Sequence, residues 1–176
     1  MNLFLRLLAV ILTARRRGML AIGAESVLHL RVFPGDVDVN GHMNNGRYLT
    51  VMDLGRADLM LRSGFREKVL KREWAPIVAS TTLRFRRPLR PFQRYRLHSR
   101  ILCWDAKWFF LEHRIERGGD VLAVSLARAL FRRPGENVPS DEVLAAAWRR
   151  PGAPPPFPEA VRLWQEADDL LDEPIP

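Results

Sequence analysis

Apolar and polar positions alternate along much of the chain, and this pattern predicts five strands with one long helix after the first. Residues 27–33 place Leu28, Leu30 and Val32 on one side, which is typical of a strand. Residues 46–63 carry apolar side chains at helical spacing over a broad face, which indicates a helix surrounded by other elements. Period-two alternation then predicts four more strands, at 76–86, 94–103, 107–117 and 120–131.

The connections between the predicted strands are short. Gly118 and Gly119 form a strong hairpin signal, and residues 104–106 are expected to turn the chain between the middle pair of strands. We therefore expect the last four strands to be antiparallel neighbours in a meander. A curved antiparallel sheet beside so apolar a helix should wrap around it, which predicts an α+β fold.

The N-terminal segment is apolar over residues 1–12 except for Asn2 and Arg6, and three arginines follow at 15–17. The run is too short for a spanning helix, which needs about 20 apolar residues. A secretory signal would carry its positive charge before the apolar stretch, not after it. We expect a helix that covers an apolar patch of the protein itself, and the alternative is a helix lying in a membrane surface.

The composition changes after residue 133. Nine of the thirteen prolines lie in 134–176, where Ser140 is expected to cap a short helix through 149 and a second helix spans about 159–171. We expect an appendage packed on the body and divide the chain into an N-terminal apolar and basic helix (1–25), a central domain (26–133) and a proline-rich acidic appendage (134–176).

The net charge of +8 is unevenly distributed. Residues 1–133 hold 25 basic and 11 acidic residues, whereas 134–176 hold 3 basic and 9 acidic residues. An electropositive body attracts anionic partners such as phosphates or anionic lipid. No nucleic-acid-binding pattern accompanies this charge, so we expect no nucleic-acid partner.

Cysteine and histidine usage limits the kinds of site that are expected. The single cysteine, Cys103, excludes an internal disulfide and any multi-cysteine metal site, and the four histidines are scattered. We therefore expect no metal. A lone cysteine is compatible with a reducing compartment, and we expect a cytoplasmic protein with membrane contact through residues 1–17 as the alternative.

The segment 33–48 concentrates the candidate chemistry directly before the long helix. It holds two carboxylates, one histidine, three asparagines and one tyrosine. The unpaired N–H groups of a helix N-terminus can stabilise an oxyanion, and a nearby carboxylate can act as nucleophile or general base. The same residue types are also ordinary turn and cap formers, so both interpretations stay open.

The pattern D-x-D-x-x-G-H-M-N-N-x-x-Y at 36–48, with the long helix and the strands after it, resembles the hotdog-fold thioesterases of the 4-hydroxybenzoyl-CoA thioesterase type. The similarity spans about residues 26–133. The segments R-R-P-L-R-P-F and K-W-F-F-L-E-H-R also resemble a fatty-acyl thioesterase-like branch whose members carry an N-terminal hydrophobic segment.

The resemblance implies a hotdog fold, in which a curved antiparallel sheet wraps a long central helix. It implies hydrolysis of a fatty-acyl or aryl-CoA thioester to the free acid and CoA. Family members are homodimers or dimers of dimers that bind acyl-CoA across the subunit interface. No cofactor is expected, since coenzyme A is part of the substrate. The alternatives are a non-catalytic acyl-thioester-binding protein and a membrane-peripheral protein on the same fold.

The resemblance also assigns the catalytic residues. Asp38 matches the family's catalytic carboxylate, which acts as nucleophile on the thioester or as base for water. His42 matches a position that lies near the thioester or orders the loop, and a histidine held by local backbone is the equal alternative.

Four further residues match positions on the substrate side. Asp36 matches the first aspartate, which fixes the loop through hydrogen bonds. Asn44 and Asn45 match the asparagines that cap the helix first and contact substrate second. Tyr48 matches the tyrosine on the first helical turn, for which packing is the stronger expectation and substrate contact the weaker.

Other residues are candidates without an assigned role. Arginine suits the phosphates of CoA, and the candidates are Arg84, Arg86, Arg87, Arg90, Arg94, Arg132 and Arg133. The aromatic residues that could line an acyl pocket, with core packing as the safer expectation, are Trp104, Trp108, Phe109 and Phe110. Cys103 is expected to be a buried small hydrophobe and not a nucleophile.

Overall fold

The computed structural model describes residues 3–63, 74–148 and 153–172. Its α-helices are α1 (Leu3–Ala14), α2 (Asn45–Arg62), α3 (Ser140–Ala147) and α4 (Glu159–Asp169). Its strands are β1 (Ser26–Arg31), β2 (Ala75–Phe85), β3 (Arg94–Trp104), β4 (Phe109–Arg117), β5 (Asp120–Arg133) and β6 (Glu136–Val138). The five predicted strands and the long helix are all present.

The strands form one antiparallel sheet in the order β1-β3-β4-β5-β2, with β6 beside the end of β5. The predicted meander is therefore correct for β3, β4 and β5 and wrong for β2, which pairs with β5 while β3 pairs with β1. Residues 86–93 cross from one side of the sheet to the other. The N–H of Arg86 donates to the Leu122 carbonyl (2.8 Å), and the N–H of Phe92 donates to the Val32 carbonyl (2.9 Å).

The crossing has a local cause and a distant one. Pro88 and Pro91 supply no N–H groups, which disfavours a tight hairpin in this connection. The partners that hold its two ends, Leu122 and Val32, lie far away in the sequence. Strand spacing alone therefore did not indicate which strand would be the neighbour of β2.

Helix α2 lies against one face of the curved sheet, which confirms the predicted hotdog architecture. Its buried residues include Tyr48, Val51, Met52, Leu54, Gly55 and Leu59. Gly55 lets the helix approach β3 closely, because a Cβ at this position would overlap the Ser99 hydroxyl on that strand. A residue with a side chain would push the helix off the sheet.

Side chains of the flanking residues set the start of α2 and the turn before β4. The Asn44 side chain accepts a hydrogen bond from the Gly46 N–H at 2.9 Å, which makes Asn44 the N-cap. The predicted helix end at Gly64 lies outside the described residues.

The Asp105 carboxylate accepts hydrogen bonds from the N–H groups of Lys107 (2.8 Å) and Trp108 (2.6 Å), so the turn extends to 108 and β4 begins at Phe109.

The C-terminal segment packs on the outer face of the sheet. The Phe110 ring on β4 contacts the rings of Phe157 and Trp164 edge-on, with centroids 5.3 and 6.4 Å apart.

The prediction of Ser140 as an N-cap is wrong. Ser140 is the first helical residue of α3, and its hydroxyl donates to the Asp105 carbonyl. A distant acceptor has replaced the local backbone N–H as its partner.

Helix α1 packs against α2 and buries Arg6, Val10 and Ala14, so it covers the body of the protein as expected. Its other face is apolar and exposed, with Phe4, Leu5, Leu8, Ile11 and Leu12. None of the described helices has the length and apolar character that crossing a membrane requires.

Candidate active site

Asp36 holds the segment before α2 in place through its hydrogen bonds and ion pairs. Its carboxylate is fully buried. It accepts a hydrogen bond from the Phe33 N–H (2.9 Å), pairs with the Arg6 guanidinium, and lies 3.3 Å from Arg47 Nε. Asp36 also accepts a backbone hydrogen bond from the Asn44 N–H (2.8 Å), which ties the start of the segment to the helix cap.

Arg6 is the partner of Asp36 that sequence reasoning missed. It comes from α1, and it also donates to the Arg31 carbonyl (3.2 Å) and lies over the Phe33 ring at 5.2 Å from the centroid. The signal that could have identified it is its isolation, because it is the only charged residue in the first fourteen positions. A charge so placed needs a buried partner.

The structure places Asp38 and His42 together in the tight loop that follows. Asp38 Oδ1 accepts a hydrogen bond from the Asn40 N–H (2.9 Å), and the Gly41 N–H donates to the Asp38 carbonyl (3.0 Å). Gly41 has a positive φ of 75°, which suits glycine at this turn. His42 Nδ1 lies 3.9 Å from Asp38 Oδ1. The Asp38 side chain is 19% exposed and stands within reach of solvent or ligand.

The remaining predicted site residues lie at the start of α2. Asn44 caps the helix, and Asn45 is the first helical residue and is exposed. Tyr48 is only 1% exposed; its hydroxyl accepts a hydrogen bond from the Leu89 N–H (3.2 Å), and its ring packs edge-on against Phe85 at 5.0 Å. Burial raises the pKa of the Tyr48 phenol. These contacts give Tyr48 a packing role.

A cavity of about 260 Å³ lies between α2 and the β2 side of the sheet, and we call it the apolar cavity. Its wall includes Ala57, Met60, Val78, Phe109, Leu111 and Phe131. Among the described residues, its charged lining residues are Asp53 and Arg56 of α2, neither of which the sequence pattern singled out.

The predicted aromatic candidates separate into different places. Phe109 lines the apolar cavity. Trp104 belongs to the core cluster around Phe109 and Phe131. Trp108 and Phe110 lie with Val161 of α4 on the outer face of the sheet.

A second, larger cleft of about 1220 Å³ separates α1 from β1 and the ends of β3 and β4. The arginines that line it are Arg6, Arg16, Arg17, Arg31, Arg94, Arg96 and Arg117. Of the seven arginines proposed for phosphate binding, it contains Arg94. Asp38 lines neither this cleft nor the apolar cavity.

Cys103 is buried, as expected. Burial, with a smaller contribution from the Asp105 carboxylate, raises the pKa of the Cys103 thiol to about 11. The thiol is therefore protonated at neutral pH, which makes it a poor nucleophile.

Comparison with known proteins agrees with this architecture. A family model of the thioesterase-like superfamily matches residues 32–165. Protein THEM6 of Xenopus laevis is 34% identical over 140 residues, which cover 78% of this chain and 66% of that protein. The Saccharomyces cerevisiae protein named "Probable thioesterase YBR096W" is 31% identical over 103 residues, which cover 56% of this chain and 44% of that protein.

Solved structures share the fold. A gentisyl-coenzyme A thioesterase superposes with a TM-score of 0.59 at 24% identity, covering 69% of this chain and 98% of that one. The chain spans 66% of the frog relative and 44% of the yeast relative. The family match extends over most of the chain and includes the Asp36–Tyr48 segment, α2 and β2–β5. The chain therefore belongs to the thioesterase-like superfamily.

Proposed function

We propose that the protein hydrolyses an acyl-CoA thioester, with Asp38 as the nucleophile or the general base. The observation that carries the proposal is a partly exposed carboxylate, held by backbone hydrogen bonds in a tight loop directly before the N-terminus of α2. Membership of the thioesterase-like superfamily supports a thioester as the reacting group. A relative in fold whose name specifies a coenzyme A thioester supports CoA as the leaving group.

The chemistry needs few groups. The Asp38 carboxylate attacks the thioester carbonyl, or removes a proton from a water molecule that attacks it. The partial positive charge at the N-terminus of α2 can stabilise the oxyanion that forms. The C–S bond then breaks, and CoA leaves as a thiolate that takes up a proton. In the general-base route this step gives the free acid directly, whereas in the nucleophilic route a water molecule must then hydrolyse the mixed anhydride on Asp38, which releases the acid and restores the carboxylate. A thiolate leaves readily, so no strong general acid is required.

The apolar cavity supports an acyl group as the part of the substrate that enters the fold. Its wall is almost wholly apolar, which favours a hydrocarbon or aryl group over a polar one. The cavity borders β2, the edge strand opposite β1, and it does not include Asp38. We therefore propose that a homodimer completes the site. In this dimer, Asp38 of one subunit acts on a substrate whose acyl group lies in the apolar cavity of the other subunit.

The test is release of CoA from a panel of fatty-acyl and aryl-CoA thioesters, followed with a thiol-detecting reagent. We expect Asp38→Asn to lower turnover by at least about 100-fold, the order of loss seen when a positioned base is removed, while acyl-CoA binding by calorimetry is retained. Asp120→Asn is the matched control, since Asp120 is an exposed carboxylate paired with Arg87.

Each outcome of this test has a meaning. Turnover by the wild type that survives Asp38→Asn would overturn the role of Asp38. Binding of acyl-CoA without turnover on any substrate would favour the alternative of a non-catalytic acyl-thioester-binding protein. Absence of both binding and turnover would reject the acyl-CoA proposal.

A second candidate function, peripheral membrane contact, is favoured by the two faces of α1. The helix turns its only charged residue, Arg6, towards the protein and its large apolar side chains outward. Arg16 and Arg17 follow the helix and line the arginine-rich cleft beside it. An outward apolar face flanked by arginines fits the surface of an anionic membrane, from which lipid-derived acyl thioesters could be taken.

A further inference from the structure

The wall of the apolar cavity carries two charged residues that the proposed hydrolysis does not use. Asp53 and Arg56 both line the cavity and form an ion pair on α2. The Asp53 side chain is 59% exposed, whereas that of Arg56 is 17% exposed. The carboxylate therefore faces water, and the guanidinium is the more enclosed of the two charges.

Arg56 is also held from inside the fold. Its Nη1 lies 3.2 Å from Nε2 of His113, a β4 residue with no exposed surface. Nδ1 of the same imidazole lies 2.8 Å from the Ser99 hydroxyl on β3. A chain of polar contacts thus runs from Ser99 through His113 to the guanidinium beside the cavity.

The direction of these hydrogen bonds follows from the charge state of His113. Burial, and secondarily the charge of Arg56, lower the pKa of His113 to about 3, so the ring is neutral at physiological pH. Arginine can only donate, so Nε2 of the neutral ring must accept. Nδ1 then carries the proton and donates to the Ser99 hydroxyl. A neutral acceptor fixes the guanidinium without cancelling its charge.

The packing of α2 against β3 also positions the backbone beside Arg56. Gly55 precedes Arg56, and a Cβ at Gly55 would overlap the Ser99 hydroxyl. The backbone next to Arg56 and the hydrogen-bond chain that orients its side chain therefore meet at the same serine. The guanidinium is held before ligand arrives, which lowers the entropic cost of using it for binding.

Arg56 has hydrogen-bonding capacity to spare. A guanidinium carries five N–H donors. Within the described ranges, the hydrogen bonds of Arg56 go to Asp53 and His113. A wholly hydrocarbon ligand would displace water from the remaining donors without replacing it, which is unfavourable, whereas a ligand oxygen beside the hydrocarbon would accept from them.

We propose that Arg56 binds an acceptor oxygen of the acyl thioester held in the apolar cavity, and that His113 and Ser99 are positioning residues for it. This proposal rests on the proposed function, since it assumes an acyl thioester as the ligand. The oxygen has two sources with the same chemistry: the thioester carbonyl, or a hydroxyl, oxo or carboxylate substituent on the acyl group.

The test compares Arg56→Met with Arg162→Met in the full chain. Arg162 is an exposed arginine on α4 that pairs with Glu166, so its replacement removes the same charge away from the cavity. Two ligands of equal chain length are used, decanoyl-CoA and 3-hydroxydecanoyl-CoA. Their affinities are measured by calorimetry in the Asp38→Asn background, which separates binding from turnover.

We expect Arg56→Met to weaken binding of at least one ligand by about tenfold, the effect of losing a hydrogen bond from a charged donor, while Arg162→Met changes neither. A loss confined to the hydroxylated ligand assigns the oxygen to the substituent. An equal loss for both ligands assigns it to the thioester carbonyl. Affinities of Arg56→Met within about twofold of the control for both ligands would overturn the proposal, given that twofold is the precision of the comparison.

The positioning role is tested with His113→Gln and His113→Leu. The glutamine amide oxygen can replace Nε2 as an acceptor for Arg56, whereas leucine supplies none. We expect His113→Gln to keep most of the affinity and His113→Leu to reproduce the loss seen in Arg56→Met, with both variants checked by thermal unfolding. Equal affinities in two folded variants would overturn the role of His113. Failure of the proposed function is recognised separately, because no acyl-CoA would then bind the wild type.

Discussion

Asp36 takes its stabilising partners from three separate parts of the chain. The Phe33 N–H comes from the same turn, Arg47 comes from α2, and Arg6 comes from α1. The carboxylate has no exposed surface, so each partner compensates part of its lost hydration. The segment that leads to Asp38 is therefore held by a helix that lies before the range matched by the family model.

Replacing Arg6 tests this arrangement at the residue scale. We expect Arg6→Met to lower the free energy of unfolding by about 3 kcal/mol, because it leaves a buried carboxylate without its strongest partner. Urea unfolding measures the change. The exposed Arg16→Met is the control and should stay within about 0.5 kcal/mol of the wild type.

A double variant separates the ion pair from general packing. Arg6→Met combined with Asp36→Asn removes both charges, so it should recover much of the stability that Arg6→Met alone loses. Equal losses in Arg6→Met and Arg16→Met would contradict the importance of the buried pair.

Helix α1 is apolar on its exposed face as well as on most of its buried face, unlike a usual amphipathic surface helix. A helix on a protein surface normally faces the core with its apolar side. Here Arg6 faces inward with Val10 and Ala14, while Phe4 and Leu12 are 66% and 68% exposed. The predicted cover over the protein's own surface is present, but it uses only part of the helix's apolar surface.

The exposed face of α1 predicts binding to anionic membranes. We expect the wild type to sediment with vesicles of phosphatidylcholine and phosphatidylserine, less so at high salt, because the arginines bind headgroups electrostatically. The double substitution Leu5→Ser and Leu12→Ser should lower the bound fraction severalfold.

The matched control for this measurement is Leu163→Ser. Leu163 is a 51% exposed apolar residue on α4, at a different place on the molecule. Unchanged sedimentation of the α1 variant, or equal losses in both variants, would contradict membrane contact through α1.

At the scale of the whole molecule, the sheet has two different edges. The cleft beside β1 is bounded by α1, whereas β2 carries exposed apolar residues at its edge, including Ile77 (37% exposed) and Val78 (40% exposed). An edge strand of this kind is a template for pairing with a second copy. The apolar cavity lies beside the same strand, so pairing along β2 would place it near the subunit boundary.

Sedimentation equilibrium tests pairing along β2. Ala79 is the residue that the register between β2 and β5 skips, so Ala79→Pro removes an N–H at a position of the edge strand that has no registered partner on β5. We expect this variant to be monomeric and to lose turnover, while Ala79→Gly, which keeps the N–H, should remain dimeric. A monomeric wild type, or a dimeric Ala79→Pro variant, would contradict this interface.

Features that depend on near neighbours in the sequence could be predicted from it. Period-two and helical spacing indicated the five strands and α2, because burial on one face imposes those periods. An asparagine cap at 44 or 45 and a hairpin at Gly118–Gly119 followed from local backbone chemistry. The D-x-D pattern before α2 indicated the fold family and the loop that carries Asp38.

Contacts between residues far apart in sequence were decided only by the tertiary structure. The crossing that separates β2 from β3, the bond of Ser140 to the β3–β4 turn and the pairing of Arg6 with Asp36 each join segments whose spacing carries no local signal. The apolar cavity and the chain from Ser99 to Arg56 belong to the same class, because they exist only once α2 lies against the sheet. Local periodicity fixes which face of an element is buried, whereas packing fixes which distant residue that face meets.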